Sequence, residues 1–250
     1  MHAIYILWYR NVLKYLRSPS RLVGSLGMPF FFLVIIGFGL NNAVQMPGLQ
    51  GGNYINFIAP GIVAMSVLFA SMFSGIQLVL DKQFGFLKET FVAPVSRLNI
   101  MIGQAIGGAT IAIIQGALVF LISLLIGVPV PGFLEILQIF VFMFLIGLAF
   151  TALGIAFAAR MEDTQGFTLI INFVIFPLFF LSGALFPMEQ IPQWLTILTY
   201  CDPLTYGVQG IREAMTGESS VSAWLSFAIL GGFTLLIIFI GSLLFKKIKI

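Results

Sequence analysis

Long apolar runs separated by short charged or Gly/Asn-rich interruptions dominate the chain, and they predict transmembrane helices. Charged residues leave uncharged intervals at 22–80, 98–134, 136–159, 164–188 and 219–245. A helix crosses about 30 Å of hydrocarbon with about 20 residues, so each of the last four intervals fits one span. The first is too long for one and divides at residues 41–53, NNAVQMPGLQGGN, a solvated turn by composition. Six spans are therefore expected near 22–40, 54–80, 99–127, 134–159, 165–187 and 222–245. Continuous apolarity, without the alternation of a barrel strand, makes them helices, and the fold class is all-α integral membrane protein.

Residues 1–21 precede the first span and predict an amphipathic interfacial helix. Arg10, Lys14, Arg17 and Arg21 fall on one stripe and Ile4, Trp8, Val12 and Tyr15 on the other. Such a helix serves as a collar that moves the first span or as a topology anchor. Between spans five and six, residues 188–221 are too polar to cross and too apolar for a free loop. Two short helices, 193–200 and 203–215, are expected to dip into the outer leaflet and return, with Trp194 and Tyr200 at interfacial depth. Gly103 and Gly107, with Gly147, Thr151, Ala152 and Ala156, form small-residue faces for close helix packing. Pro29, Pro60 and Pro177 sit inside apolar runs and predict kinks or openings.

Composition agrees with the pattern: 60% of the 250 residues are apolar and 8% charged, against about 25% charged in soluble domains. With six spans, eleven of the twelve Lys and Arg residues lie on one side and Arg212 alone on the other. The basic side is the cytoplasmic one, which places both termini in the cytoplasm and the chain in the cytoplasmic membrane. The net charge of +3 is then a matter of topology and gives no support to nucleic-acid binding. No cleavable signal peptide is expected, since four basic residues and 21 positions precede the first run.

The chemistry-bearing residues are sparse. There is no Gly-Lys pair, hence no P-loop, and one histidine, His2, and one cysteine, Cys201, make no metal cluster or nucleophile pair. No enzyme activity and no cofactor are expected of this chain. The spans hold no ionisable residue in their interiors, which argues against an ion-coupled carrier. An uncoupled channel or a partner-driven transporter remains.

The segment Asp81–Arg97, DKQFGFLKETFVAPVSR, joins Phe84, Phe86, Leu87, Phe91 and Val92 to Lys82, Lys88 and Glu89. Leu80, Phe84, Leu87 and Phe91 share one helical face, continuing the second span, and Pro94 ends the helix. A surface that touches another protein is expected here. In span five, Asn172, Phe173, Phe176, Phe179 and Phe180 surround Pro177 and form a candidate substrate-pathway wall or a lipid-facing surface.

Two motifs resemble those of the type-2 ABC exporter permeases. The first is Gly85, Leu87, Glu89, Phe91 and Ala93-Pro94-Val95-Ser96-Arg97. The second is Ser182-Gly183, Phe186-Pro187, Ile191-Pro192, Trp194-Leu195, Asp202-Pro203-Leu204-Thr205-Tyr206 and Arg212, with Asp202 where Asn is more usual. The resemblance runs along the whole chain and implies a single transmembrane domain over residues 1–250. It further implies a second copy or paralogue as partner, surrounded by membrane lipids, and two separate ATP-binding subunits that hold ATP and Mg. It makes residues 81–97 the coupling segment, with Phe84, Phe86, Leu87, Lys88, Glu89, Phe91, Val92 and Pro94 toward the ATPase. Pro187, Pro192, Trp194, Pro203 and Tyr206 belong to an external gate. Export of a hydrophobic, lipidic or drug-like substrate is the expected function, with a polysaccharide or glycolipid as the alternative cargo.

Overall fold

The computed structural model describes residues 2–37, 39, 54–86, 95–188 and 191–246, and every regular element among them is helical. In chain order these are α1 (His2–Leu16), α2 (Pro19–Phe31), α3 (Tyr54–Ser74), α4 (Ile76–Gln83), α5 (Arg97–Leu125), α6 (Phe133–Arg160), α7 (Thr164–Leu181), α8 (Gln193–Cys201), α9 (Pro203–Thr216) and α10 (Ala223–Lys246). Five stretches are long and apolar enough to cross a membrane: Tyr54–Gln83, Arg97–Leu125, Phe133–Arg160, Thr164–Leu181 and Ala223–Phe245. These match expected spans two to six. The first expected span is a shorter apolar helix, Leu22–Ile36, so the described residues give five spans of full length and not six. The turn expected at 41–53 lies outside the described residues.

α3 is the central helix. It is apolar all round and buried on nearly every side, as a helix must be when neighbours surround it. α5, α6 and α9 pack on it, and α10 lies outside against α6 and α9. Close approach is built in at Gly61, where an added Cβ would lie 2.6 Å from the Ala184 carbonyl oxygen. α10 keeps much of its surface exposed, including Leu235 and Phe239, which suits a helix facing lipid.

Local chemistry moves several boundaries. The N-terminal segment is not one helix to residue 21, because α1 stops at Leu16 and Pro19 opens α2, where its missing N–H costs nothing. Arg21 therefore belongs to α2 and does not extend the stripe of α1. Past Pro29 the helix widens into a π turn over Phe32–Ile36. Span five ends at Leu181, six residues before the expected limit, because Gly183 turns the chain at φ +68°. The two short helices expected between spans five and six are present as α8 and α9, with ends within one residue of expectation.

Candidate coupling segment and its supports

The segment with the most pronounced interaction character begins at the end of α4, which three consecutive side chains tie to the rest of the bundle. Asp81 is buried and paired with the Arg10 guanidinium of α1, and it also accepts from Gln77 Nε2 at 2.8 Å. Lys82 Nζ donates to the carbonyls of Met161, Ala159 and Ala158 at 2.6, 3.2 and 3.4 Å. Those carbonyls lie at the C-terminal end of α6, where the helix leaves acceptors unsatisfied and concentrates negative potential, so a lysine there is doubly favoured. Gln83 Nε2 donates to the Glu162 carbonyl at 2.9 Å in the turn that leads to α7.

Beyond this root, Phe84 and Phe86 stand exposed, Phe84 at 71%. The helical face expected to run unbroken from Leu80 to Phe91 is interrupted. α4 ends at Gln83 and Gly85 takes φ +78°, a left-handed conformation that turns the chain before Phe86. Leu87, Lys88, Glu89, Phe91, Val92 and Pro94 lie outside the described residues. The chain re-enters at Val95, and the Ser96 hydroxyl caps α5 by accepting from the Asn99 N–H at 3.2 Å.

α1 is the brace on the other side. It lies across the first half of α5, where an added Cβ on Gly103 or Gly107 would come within 3.1 Å of Leu7 Cβ or 2.9 Å of Asn11 Nδ2. The predicted small-residue face is thus used within the subunit. Trp8 Nε1 donates to Thr110 Oγ1 at 2.9 Å, and Asn11 Nδ2 to Gln104 Oε1 at 2.6 Å. The stripe expected to face phosphate or solvent is partly engaged: Arg10 meets Asp81, and Lys14 Nζ donates to Gln77 Oε1 at 2.9 Å. Sequence reading missed the Arg10–Asp81 and Lys82–α6 links. Arg10 and Asp81 are 71 positions apart, and only the lone acid at the end of an apolar run hinted that a distant cation would be needed.

The structure divides the proposed pathway residues of α7 between two faces. Phe167, Ile171, Ile175 and Phe179 recur every four residues on the buried face, with Phe179 at 1% exposure. Phe173 at 81% and Phe180 point outward. Asn172 and Phe176 are half-buried between them, and Phe176 meets Phe69 of α3 edge-on at 5.8 Å. Phe179 is therefore a core residue and not part of an open wall.

At the opposite end, α8 exposes Trp194, Ile197 and Tyr200, while α9 is buried along most of its length. Asp202 caps α9 through Oδ1, which accepts from the Leu204 N–H at 2.9 Å, and Pro203 follows at the first helical position. Burial pushes the Asp202 carboxyl up to about 8, the bond from Leu204 opposing the shift. Tyr206 donates to the Tyr200 carbonyl at 2.8 Å and Thr205 to that of Thr199 at 2.7 Å, which locks α8 onto α9. Pro187 and Pro192 frame the link from α7 to α8, Pro192 as the cap of α8. Arg212 is buried over the Phe57 ring at 4.1 Å, and its Nη2 donates to the Gly183 carbonyl at 2.8 Å. The one basic residue expected on the outer side is a structural clamp between α9, α3 and the end of α7.

Comparison with known proteins agrees with this architecture. The family described as ABC-2 type transporter matches residues 2–216. The chain is 30% identical over 258 residues to the transport permease ycf38 of Cyanophora paradoxa, covering 99% of this chain and 89% of that protein. It is 27% identical over 229 residues to Nodulation protein J of Rhizobium leguminosarum bv. viciae, covering 90% and 86%. Nodulation protein J of Rhizobium meliloti is 27% identical over 246 residues, covering 96% and 92%.

Proposed function

Since the chain belongs to the ABC-2 type transporter family, we propose that this transport permease is the membrane subunit of an exporter driven by two separate ATP-binding subunits. It pairs with a second copy or a paralogue in the cytoplasmic membrane. Both termini and residues 81–97 lie in the cytoplasm, in line with the basic residues at that end of the bundle. ATP and Mg are held by the partner subunits and energy enters through residues 81–97.

The observation that carries this reading is the rooting of α4. Phe84 and Phe86 are exposed, yet the three residues before them are fixed to α1, to the end of α6 and to the α6–α7 turn. A push on the exposed aromatics is transmitted to α1 and α6 through charge-assisted contacts of Asp81 and Lys82, and to the α6–α7 turn through the amide of Gln83. A loop that merely rested on lipid would need no such anchorage. The cargo is a hydrophobic, lipidic or drug-like compound, supported by the outward aromatic face of α7 at Phe173 and Phe180 and by the scarcity of polar groups in the spans.

The test is co-purification of the chain with an ATP-binding subunit, followed by a screen for compounds that change its ATPase rate. Reciprocal coupling requires substrate to alter that rate. Transport that persists without any ATPase and collapses an ion gradient would instead select a secondary carrier.

A further inference from the structure

α8 is barely embedded in the bundle. Thr199 is its one buried residue, whereas Trp194, Ile197, Leu198, Tyr200 and Cys201 stand exposed. It meets α9 through a single residue. Asp202 closes α8, its N–H bonding to the Thr199 carbonyl at 3.2 Å, and also opens α9, its Oδ1 accepting from the Leu204 N–H at 2.9 Å. Two more bonds cross this joint, from the Tyr206 hydroxyl to the Tyr200 carbonyl and from the Thr205 hydroxyl to the Thr199 carbonyl. Side-chain hydroxyls on the first turn of α9 thus hold α8 where packing does little.

The joint itself contains a group that is stable there in one protonation state only. Asp202 is 4% exposed, and its Oδ2 is inaccessible with no hydrogen-bond partner among the described residues. A carboxylate placed so forfeits its hydration, in keeping with the value of about 8. The titratable groups close by, Tyr200 and Cys201 of α8 and Tyr206 of α9, are acids and not cations. Arg212 and Glu213 lie about 15 Å further along α9, Arg212 on the Gly183 carbonyl and Glu213 accepting from Ser219. Of the helices packed on α8 and α9, α7 has no titratable residue, α3 has Tyr54, bonded to the Leu185 carbonyl, α6 has Glu135 and Arg160 near its two ends, and α10 has Lys246 as its last residue. Glu189 lies outside the described residues.

We propose that α8 is a flap hinged at Asp202, latched to α9 while the carboxyl is protonated and released when it ionises. On ionisation the proton leaves to water, and Oδ2 regains hydration only where α8 moves aside. Oδ1 stays on the Leu204 N–H, because a helix N-terminus holds a carboxylate more strongly than a neutral acid. The charge therefore remains with α9, and α8 is the part that gives. An open joint returns the carboxyl to its ordinary 3.8, so each pH unit between that value and about 8 favours the open flap by up to tenfold. Above 8 both forms are ionised and the gain stops.

Cys201, the one cysteine of the chain, is exposed beside the joint and carries a reporter with no substitution elsewhere. The test is electron paramagnetic resonance of a methanethiosulfonate nitroxide on Cys201, in the full chain in phosphatidylcholine nanodiscs, from pH 5 to pH 9. The ratio of mobile to immobile label should rise at least tenfold from pH 5 to pH 8 and level off beyond it. Asp202→Asn, which keeps the cap and cannot ionise, should hold the low ratio throughout, and Glu213→Gln should follow wild type. Tyr206→Phe, which removes one bond across the joint, should raise the ratio at pH 5; it decides the matter if Asp202→Asn does not fold. A wild-type ratio that ignores pH, an equal rise in Asp202→Asn, a rise abolished by Glu213→Gln, or an unchanged ratio at pH 5 in Tyr206→Phe would overturn the proposal. With no ATP-binding subunit present, the outcome is independent of the transport reading.

Discussion

Lys82 Nζ donates to the Met161 carbonyl at 2.6 Å, binding the last turn of α4 to the end of α6. The bond crosses from the segment assigned to ATPase coupling into a helix of the membrane core. Lys82→Met keeps the stem and removes the charge. The expected result is a loss of about 1–2 kcal/mol in stability, the scale of a cation at a helix C-terminus with its hydrogen bonds. Substrate-stimulated ATPase should fall severalfold while the ATP-binding subunit still co-purifies. A stimulated rate equal to wild type would show that force does not pass through this contact.

The pairing of Arg10 with buried Asp81 gives a second prediction. Asp81 is nearly inaccessible and the Arg10 side chain is 38% exposed, so the interaction is only partly screened. Arg10→Gln should destabilise the chain by about 1–3 kcal/mol, because among the described residues Asp81 keeps only Gln77 as a partner. Adding Asp81→Asn should restore much of the loss, since the stranded charge is removed. Thermal unfolding of the two single variants and the double variant in detergent gives the coupling energy directly. Additive losses would mean that the pair contributes nothing as a pair.

Asp202 makes stability depend on pH. Its folded-state value of about 8 lies above the ordinary 3.8, so the folded chain favours the protonated carboxyl. The associated stability is fully present below about pH 4 and is lost as pH rises through 8, when the folded state must also ionise. Asp202→Asn retains a side-chain oxygen to cap α9 and carries no charge. This variant should unfold at a higher temperature than wild type at pH 8, and the gap should close toward pH 5. Unfolding temperatures measured across that range decide it. A constant gap would place the origin elsewhere than in ionisation.

Exposed Phe84 and Phe86 make a sharper test of docking than buried residues would. Phe84→Ala and Phe86→Ala together should leave the unfolding temperature of the isolated chain within about one or two degrees, since exposed positions contribute little to stability. They should reduce recovery of the ATP-binding subunit at least tenfold in co-purification. Full recovery would move the docking surface to other residues of 81–97.

The helices themselves were legible because their signal is one of run length, and the membrane fixes that length. The start of α9 at Asp202 and Pro203 followed the cap rules, whereas the break before Pro19 and the end of span five were not read from the sequence. Apolar residues continue past Leu181, and only Gly183 in a left-handed turn stops the helix. Contacts between distant polar residues were not legible: nothing local in Lys82 specifies the carbonyls of α6, and Arg212 reads as a topological exception until Gly183 and Phe57 are seen beneath it. The same limit applies to α7. A run of phenylalanines at four-residue and three-residue intervals around Pro177 does not say which face the neighbours cover.

That division of α7 fixes the last prediction. Phe179 is buried against Phe32, with the rings edge-on at 6.1 Å, so Phe179→Ala should cost about 3–5 kcal/mol whatever the substrate path is. Phe173 and Phe180 are exposed and can be replaced without that penalty. If the outward face of α7 lines a pathway shared with the second copy, Phe173→Ser and Phe180→Ser should fold normally and change which compounds stimulate the ATPase. The ratio between a bulky aromatic compound and an alkyl one should shift by about tenfold, the scale of one lost aromatic contact. If the face meets lipid, both variants should keep the wild-type ranking of compounds at unchanged maximal rate. Stimulation profiles of the two serine variants against wild type, read beside their unfolding temperatures, separate the pathway wall from a lipid-facing surface.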